Sequence, residues 1–224
     1  MRHAVAALLR KDLRLELRSP EAVPAMVLFS LSTFVLFHFA LDEAEVSGNL
    51  AAGILWVTLL FAAVLGVNRL FVAEREEGGF DGFLLAPVDR TALFVAKATL
   101  LFAFLAFVEV FMVAAFAFLL LGPSPWAPLP GLVLVLALAN AGIAVVGTLV
   151  AAIAVQTRAR DLLVPLIALP LSVPLVIAGA RATAPLLADG GAGALEGRWL
   201  MTLGLYDLVF GLLAYAIFDF LLED

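Results

Sequence analysis

A chain of 224 residues that is 64% hydrophobic and only 14% charged, with mean hydropathy +1.13, is far more apolar than a soluble domain, for which about 45–50% apolar and about 25% charged residues are usual. These figures leave no room for a sizeable soluble domain and point to an integral membrane protein, helical because lipid offers no partner to open backbone groups. The absence of cysteine excludes disulfides, thiolate metal sites and a cysteine nucleophile; the net charge of −6 says little, since charge on a membrane protein matters by side rather than by sum.

The first element is a short amphipathic segment, about 3–18. Val5, Leu8, Leu9, Leu13 and Leu17 fall on one helical face with Arg10, Lys11, Arg14 and Arg18 opposite, which predicts a helix lying in the plane of the membrane surface. The alternative is a simple basic anchor for the first span. A signal peptide does not fit: charges continue to Arg18, and the apolar run that follows Pro20 is too long and has no convincing cleavage site. Six apolar runs follow, at about 22–41, 50–72, 92–121, 129–155, 162–181 and 200–221, each near or above the ~20 residues that cross a bilayer as a helix. The fourth contains Gly142, Gly147 and Ala151, small residues that permit close helix approach. The fifth contains Pro165, Pro170 and Pro174, which remove backbone donors and predict a strongly kinked or broken helix.

Eleven of the thirteen Lys and Arg residues lie before the first run, between the second and third or at their facing ends (Arg69 and Lys97), or between the fourth and fifth; Arg181 and Arg198 are the exceptions. The positive-inside rule then predicts six spans with both termini in the cytoplasm.

Between the second and third runs lies a polar island, about 74–90, containing Arg75, Glu76, Glu77, Gly78, Phe80, Asp81, Phe83, Leu84 and Pro87. Gly78 and Gly79 break the chain after a charged stretch. Phe80, Phe83, Leu84 and Leu85 then recur at helical spacing until Pro87 ends the turn. The plain reading is a solvated loop. Exposed aromatic and leucine clusters usually mark interfaces, so the expected role is docking of a cytosolic partner, with a short amphipathic helix seated in a groove.

Catalytic chemistry is not evident. The chain has no Gly-x4-Gly-Lys-Ser/Thr loop for nucleotide phosphates, and Ser30 and Ser32 have no nucleophile-elbow context. His3 and His38 are far apart, without metal-ligand spacing. Two ionisable groups fall within spans, Glu109 in the third and Asp207 in the sixth. Such residues are functional candidates, although a carboxyl buried between helices for packing is the competing account. Met26, Met112 and Met201 are read as packing residues.

The stretch Arg75-Glu76-Glu77-Gly78-Gly79, followed by Leu84-Leu85-Ala86-Pro87, Arg90 and Ala96-Lys97, resembles the cytosolic loop of ABC-2-type export permeases. Ala52-Gly53-Ile54-Leu55-Trp56-Val57 and Leu169-Pro170-Leu171-Ser172-Val173-Pro174-Leu175 narrow the resemblance to the CcmB (haem exporter protein B) family of cytochrome c maturation. The resemblance covers almost the whole chain. It implies an all-α permease of the bacterial inner membrane: six spans, an N-terminal in-plane helix, and a coupling helix between spans two and three. It also implies a second copy of the chain, a cytosolic ABC ATPase subunit, a haem-handling membrane protein and a periplasmic haem chaperone as partners; nucleic acid is not among them. Haem is then a transported or handled ligand rather than a resident cofactor, and the permease either exports it or releases the loaded chaperone. The competing readings are an ABC-2-type exporter of a drug, lipid or glycan, a proton-coupled secondary transporter using Glu109 and Asp207, and a structural scaffold.

Overall fold

The structure is a computed structural model that describes residues 1–41, 46–72, 90–121, 129–155, 157, 159–188 and 193–221, the side chains of 219–221 excepted. Its regular structure among the described residues is entirely helical: α1 (Arg2–Arg18), α2 (Ala22–Ala40), α3 (Gly48–Arg69), α4 (Arg90–Leu120), α5 (Leu129–Val155), α6 (Arg160–Thr183) and α7 (Gly197–Leu221). The last six are each long and apolar enough to cross a membrane.

The six long helices run alternately up and down, which gathers the N-termini of α2, α4 and α6 with the C-termini of α3, α5 and α7 at one end, here the basic end. Of the six, α3 and α5 are the most buried and α7 the least. The centre of the bundle is α5, which packs on α4, α6 and α7; α3 lies between α2 and α6; α1 lies across α4. Without a strong hydrophobic drive between helices in lipid, close packing of small residues has to hold such a bundle. Gly147 shows how: a Cβ there would stand 2.6 Å from Val67 Cγ2 and 2.9 Å from Leu101 Cδ2, so α5, α3 and α4 converge only because position 147 is bare.

A second close approach joins α3 to α6. Gly179 lies flat under the fully buried Trp56 ring, in the space a side chain would occupy. The indole Nε1 donates to Thr183 Oγ1 at 2.8 Å, and Thr183 in turn donates to Gly179 O at 2.8 Å. The ring's polar edge is therefore satisfied where water cannot reach it, as a buried tryptophan requires.

α6 departs from the expectation of a broken helix: it is continuous through Pro165, Pro170 and Pro174. Each proline withholds one backbone donor. In the stretch between Pro170 and Pro174, the Tyr206 hydroxyl of α7 donates to Leu171 O at 2.8 Å, tying α6 to α7 there.

At the end opposite the basic one, the last carbonyls of α4, which have no intrahelical donor, are capped from outside. His38 Nδ1 donates to Leu119 O at 2.7 Å, and Val46 N–H donates to Leu120 O at 2.8 Å.

Candidate functional site

The polar-island residues Arg75, Glu76, Glu77, Gly78, Phe80, Asp81, Phe83, Leu84 and Pro87 lie outside the described residues. The island's two roots are described. The chain enters it from α3 through Leu70 and Phe71, and leaves it into α4 at Arg90.

Two turns into α4, Lys97 is almost wholly enclosed, at 1% exposure. Its ammonium lies 3.0 Å from Asp12 Oδ2 of α1, donates to Leu70 O at 3.0 Å, and stands 5.1 Å over the Phe71 ring. The other carboxylate oxygen of Asp12 is 3.2 Å from Lys11 Nζ. One cation thus ties α1, the end of α3 and the start of α4 together at both roots of the island. A cation at the C-terminal carbonyls of α3 is also favoured by that helix's dipole. Next to it, Glu16 of α1 accepts from Val23 N–H at 2.9 Å, capping the start of α2, and Arg69 donates to Glu21 at 2.8 Å.

These contacts correct the reading of α1. The face predicted to be simply apolar carries Asp12 and Glu16 among Val5, Leu8 and Leu9 against the bundle, while Leu13 and Leu17 are exposed. The helix has three sides: one packed on α4, one apolar and exposed, and one bearing Arg10, Arg14 and Arg18 along a shallow groove with His3. The two-face reading left out Asp12 and Glu16, which lie on the packed side. The available signal was an acid in the middle of a basic helix, paired with a lysine inside an apolar run.

The two intramembrane acids do not meet. Glu109 of α4 is 8% exposed and accepts from Asn140 Nδ2 of α5 at 2.8 Å. Asp207 of α7 faces α5 elsewhere, with its Oδ1 2.5 Å from where a Cβ of Gly142 would sit. Both acids therefore address α5 within two positions of each other along its sequence, one from α4 and one from α7. Asn140 was not singled out by sequence reasoning; a carboxamide inside an apolar run was its only signal. Beside Glu109 and Asn140, α4 and α5 enclose an apolar groove of about 850 Å³.

His38 is the cap on α4 already described, and Met26 and Met112 are buried packing residues; Met201, read the same way, is instead 76% exposed. His3 lies on α1, which meets α4 at Lys97, whereas His38 meets α4 at Leu119, roughly 33 Å further along that helix. Among the described residues no three His, Cys, Asp or Glu side chains cluster as a metal site would require.

The family model described as "CcmB protein" matches residues 3–219. Curated proteins named heme exporter protein B are similar to this chain over most of both lengths. That of Rhodobacter capsulatus is 34% identical over 179 residues, 78% of this chain and 80% of its own. That of Bradyrhizobium diazoefficiens is 32% identical over 215 residues, 95% and 96% of the two chains. That of Pseudomonas aeruginosa is 31% identical over 183 residues, 81% of each. With six helices fit to cross a bilayer and a family match that runs nearly end to end, the chain belongs to the CcmB family.

Proposed function

We propose that this chain is the membrane subunit of an ABC transporter complex for cytochrome c maturation, in which a partner ATPase supplies the energy for haem export or for release of a haem-loaded chaperone. Its relatives carry the name heme exporter protein B, and that name is the support for haem as the handled ligand. The single observation that carries the mechanical part is the Asp12–Lys97–Leu70 cluster. A cytosolic ATPase pushing on the polar island moves its two roots. Those roots are pinned to each other and to α1 by one buried cation, so a push is shared among α1, α3 and α4 rather than dissipated in one helix. From α4 the displacement reaches α5 along their packed length, past Glu109 and Asn140.

In this reading α1 lies in the membrane surface, Leu13 and Leu17 in the acyl region and its arginines at the headgroups. The chain transmits motion and does not ligate haem stably by itself: its two histidines are too far apart to share one iron, and His38 Nδ1 is engaged with Leu119 O. Proton-coupled transport predicts activity without an ATPase.

The test is a strain lacking this protein, complemented in turn by the wild type, by Gly78→Pro with Phe83→Ala, and by the wild type beside a catalytically dead partner ATPase. Haem-stained periplasmic c-type cytochromes should return only in the first case, with the loop variant still present in membranes. Normal c-type cytochromes in the deletion would return the protein to the generic exporter class. Normal levels with a dead ATPase would remove the ATP-coupled mechanism.

A further inference from the structure

The charges of α1 are sorted by side. Its two acids are engaged inward, Asp12 with Lys97 and Lys11, and Glu16 with the Val23 N–H. Arg10, Arg14 and Arg18 are exposed on another side, and no carboxylate among the described residues pairs with any of them. They recur every fourth residue, so they form a row about 12 Å long. With His3 they line a groove of about 620 Å³, whose floor is kept low by Ala6 and Ala7. A guanidinium presents its N–H groups in a fork that fits phosphate oxygens two at a time. The row therefore calls for an anion, and for a phosphate in particular.

Level decides where that phosphate comes from. α3 has 22 residues, about 33 Å of helix, just enough to cross a hydrocarbon core of about 30 Å. The first carbonyl past it, Leu70 O, accepts from Lys97, and Lys97 holds Asp12 of α1. α2 starts at the same level: it begins at Ala22, and Glu16 of α1 accepts from Val23 N–H. α1 thus lies where one span leaves the hydrocarbon and another enters it. The headgroup layer at that level is about 5–7 Å deep on each side.

An apolar edge adjoins the arginine row. Leu13 follows Arg10 by three positions and Leu17 follows Arg14 by three, the spacing of neighbours on a helix surface. Leu13 is 42% exposed and Leu17 82%. A phosphate beside an aliphatic chain is what a phospholipid offers in one molecule. An acidic segment of a cytosolic protein would meet the arginines and leave Leu17 in water. Among phospholipids, a zwitterionic one brings its own ammonium up to the arginine row, and an anionic one does not.

We infer that the α1 groove is a binding site for an anionic phospholipid, with its phosphate on Arg10, Arg14 and Arg18 and an acyl chain along Leu13 and Leu17. The inference rests on the placement of α1 at the membrane surface and adds to it a choice among lipids.

The experiment is photolabelling of the full chain in phosphatidylcholine nanodiscs. A minor fraction of the lipid carries a diazirine in its acyl chain. That probe is phosphatidylglycerol in one arm and phosphatidylcholine in the other, and adducts are mapped by mass spectrometry. The expected result is labelling around Leu13 and Leu17 that is roughly tenfold or more stronger with phosphatidylglycerol, since each arginine near an anionic lipid surface is worth about fivefold. Arg14→Gln should cut that preference about fivefold. Arg10→Gln, Arg14→Gln and Arg18→Gln together should abolish it, and Arg14→Lys, which keeps the charge, should retain most of it. Inorganic phosphate should not compete. Labelling of Leu205 and Leu208, exposed on α7, should show no preference and reports insertion of each variant. If the triple variant fails to insert, Arg14→Gln still reads the groove. Equal labelling of α1 by both probes would overturn the inference while leaving α1 at the membrane surface. No labelling of α1 by either would overturn that placement and the inference with it. A preference indifferent to the glutamine variants, or one removed by inorganic phosphate, would also overturn it. In native membranes, a benzophenone amino acid replacing Ala7 should capture phospholipid; capture of a protein there instead would overturn the inference.

Discussion

Replacing Asp12 by alanine should release α1 from the bundle. The substitution removes the carboxylate 3.0 Å from Lys97 Nζ, and the ammonium it leaves is at a position 1% exposed. Removing one partner of a buried ion pair costs about 3–5 kcal/mol, mostly because the other charge stays desolvated. Lys97 keeps Leu70 O at 3.0 Å and the Phe71 ring at 5.1 Å among its partners, so the lower figure, about 3 kcal/mol, applies. At about 1.4 kcal/mol per decade, the undocked state of α1 should become roughly a hundred times more populated. Amide hydrogen exchange in detergent or nanodiscs reads this directly, because local opening sets the protection of the helix. Amides of α1 should lose about two decades of protection, and those in the middle of α5 should change little. The combination Asp12→Leu with Lys97→Met, which replaces the pair by apolar groups, should recover most of the protection, since such exchanges are often neutral or stabilising. Unchanged α1 protection in Asp12→Ala would refute the reasoning, as would a double variant no better than the single.

Three further outcomes follow from other parts of the structure. Gly179→Ala drives a methyl into the Trp56 ring and should destabilise the protein by about 1–3 kcal/mol, the usual cost of overpacking a filled core; thermal unfolding of the purified protein checks it, and Ala180→Ser beside it should be milder. His38→Ala removes one cap on α4 at an exposed site, a loss of about 0.5–1.5 kcal/mol, so haem-stained c-type cytochromes should be largely unchanged; their disappearance with the ATPase still bound would make direct haem handling the better account. Reporter fusions after Glu45, Pro125 and Gly191 should report outside the cytoplasm, and fusions after Gly79 and Arg160 inside; an external Gly79 would remove the docking argument.

The helical spans were legible because each is a long apolar run, and lipid permits few other structures for such a run. The partners inside the bundle were less so. Trp56 was visible as a sequence landmark, but what it does depends on Thr183 and Gly179, which lie far along the chain on another helix. Glu109 was legible as an acid out of place in lipid; Asn140, which holds it, was hidden because a single carboxamide barely alters the hydropathy of an apolar run. Asp12 and Lys97 were the least legible. Asp12 looks like one more charge in a basic segment and Lys97 like the polar end of an apolar run, and only the crossing of α1 over α4 brings them together.

The most direct test of the account is purification of this protein from its own membranes with whatever nucleotide-hydrolysing subunit accompanies it, compared among the wild type, Phe80→Ala, Phe83→Ala and Glu77→Ala. Buried aromatic anchors at an interface commonly carry about 2 kcal/mol or more each, while rim charges carry less. The account predicts that an ATPase co-purifies with the wild type, that either phenylalanine variant loses most of it, and that Glu77→Ala keeps most of it. A wild-type protein that brings down no ATPase, or phenylalanine variants that retain it fully, would contradict the account.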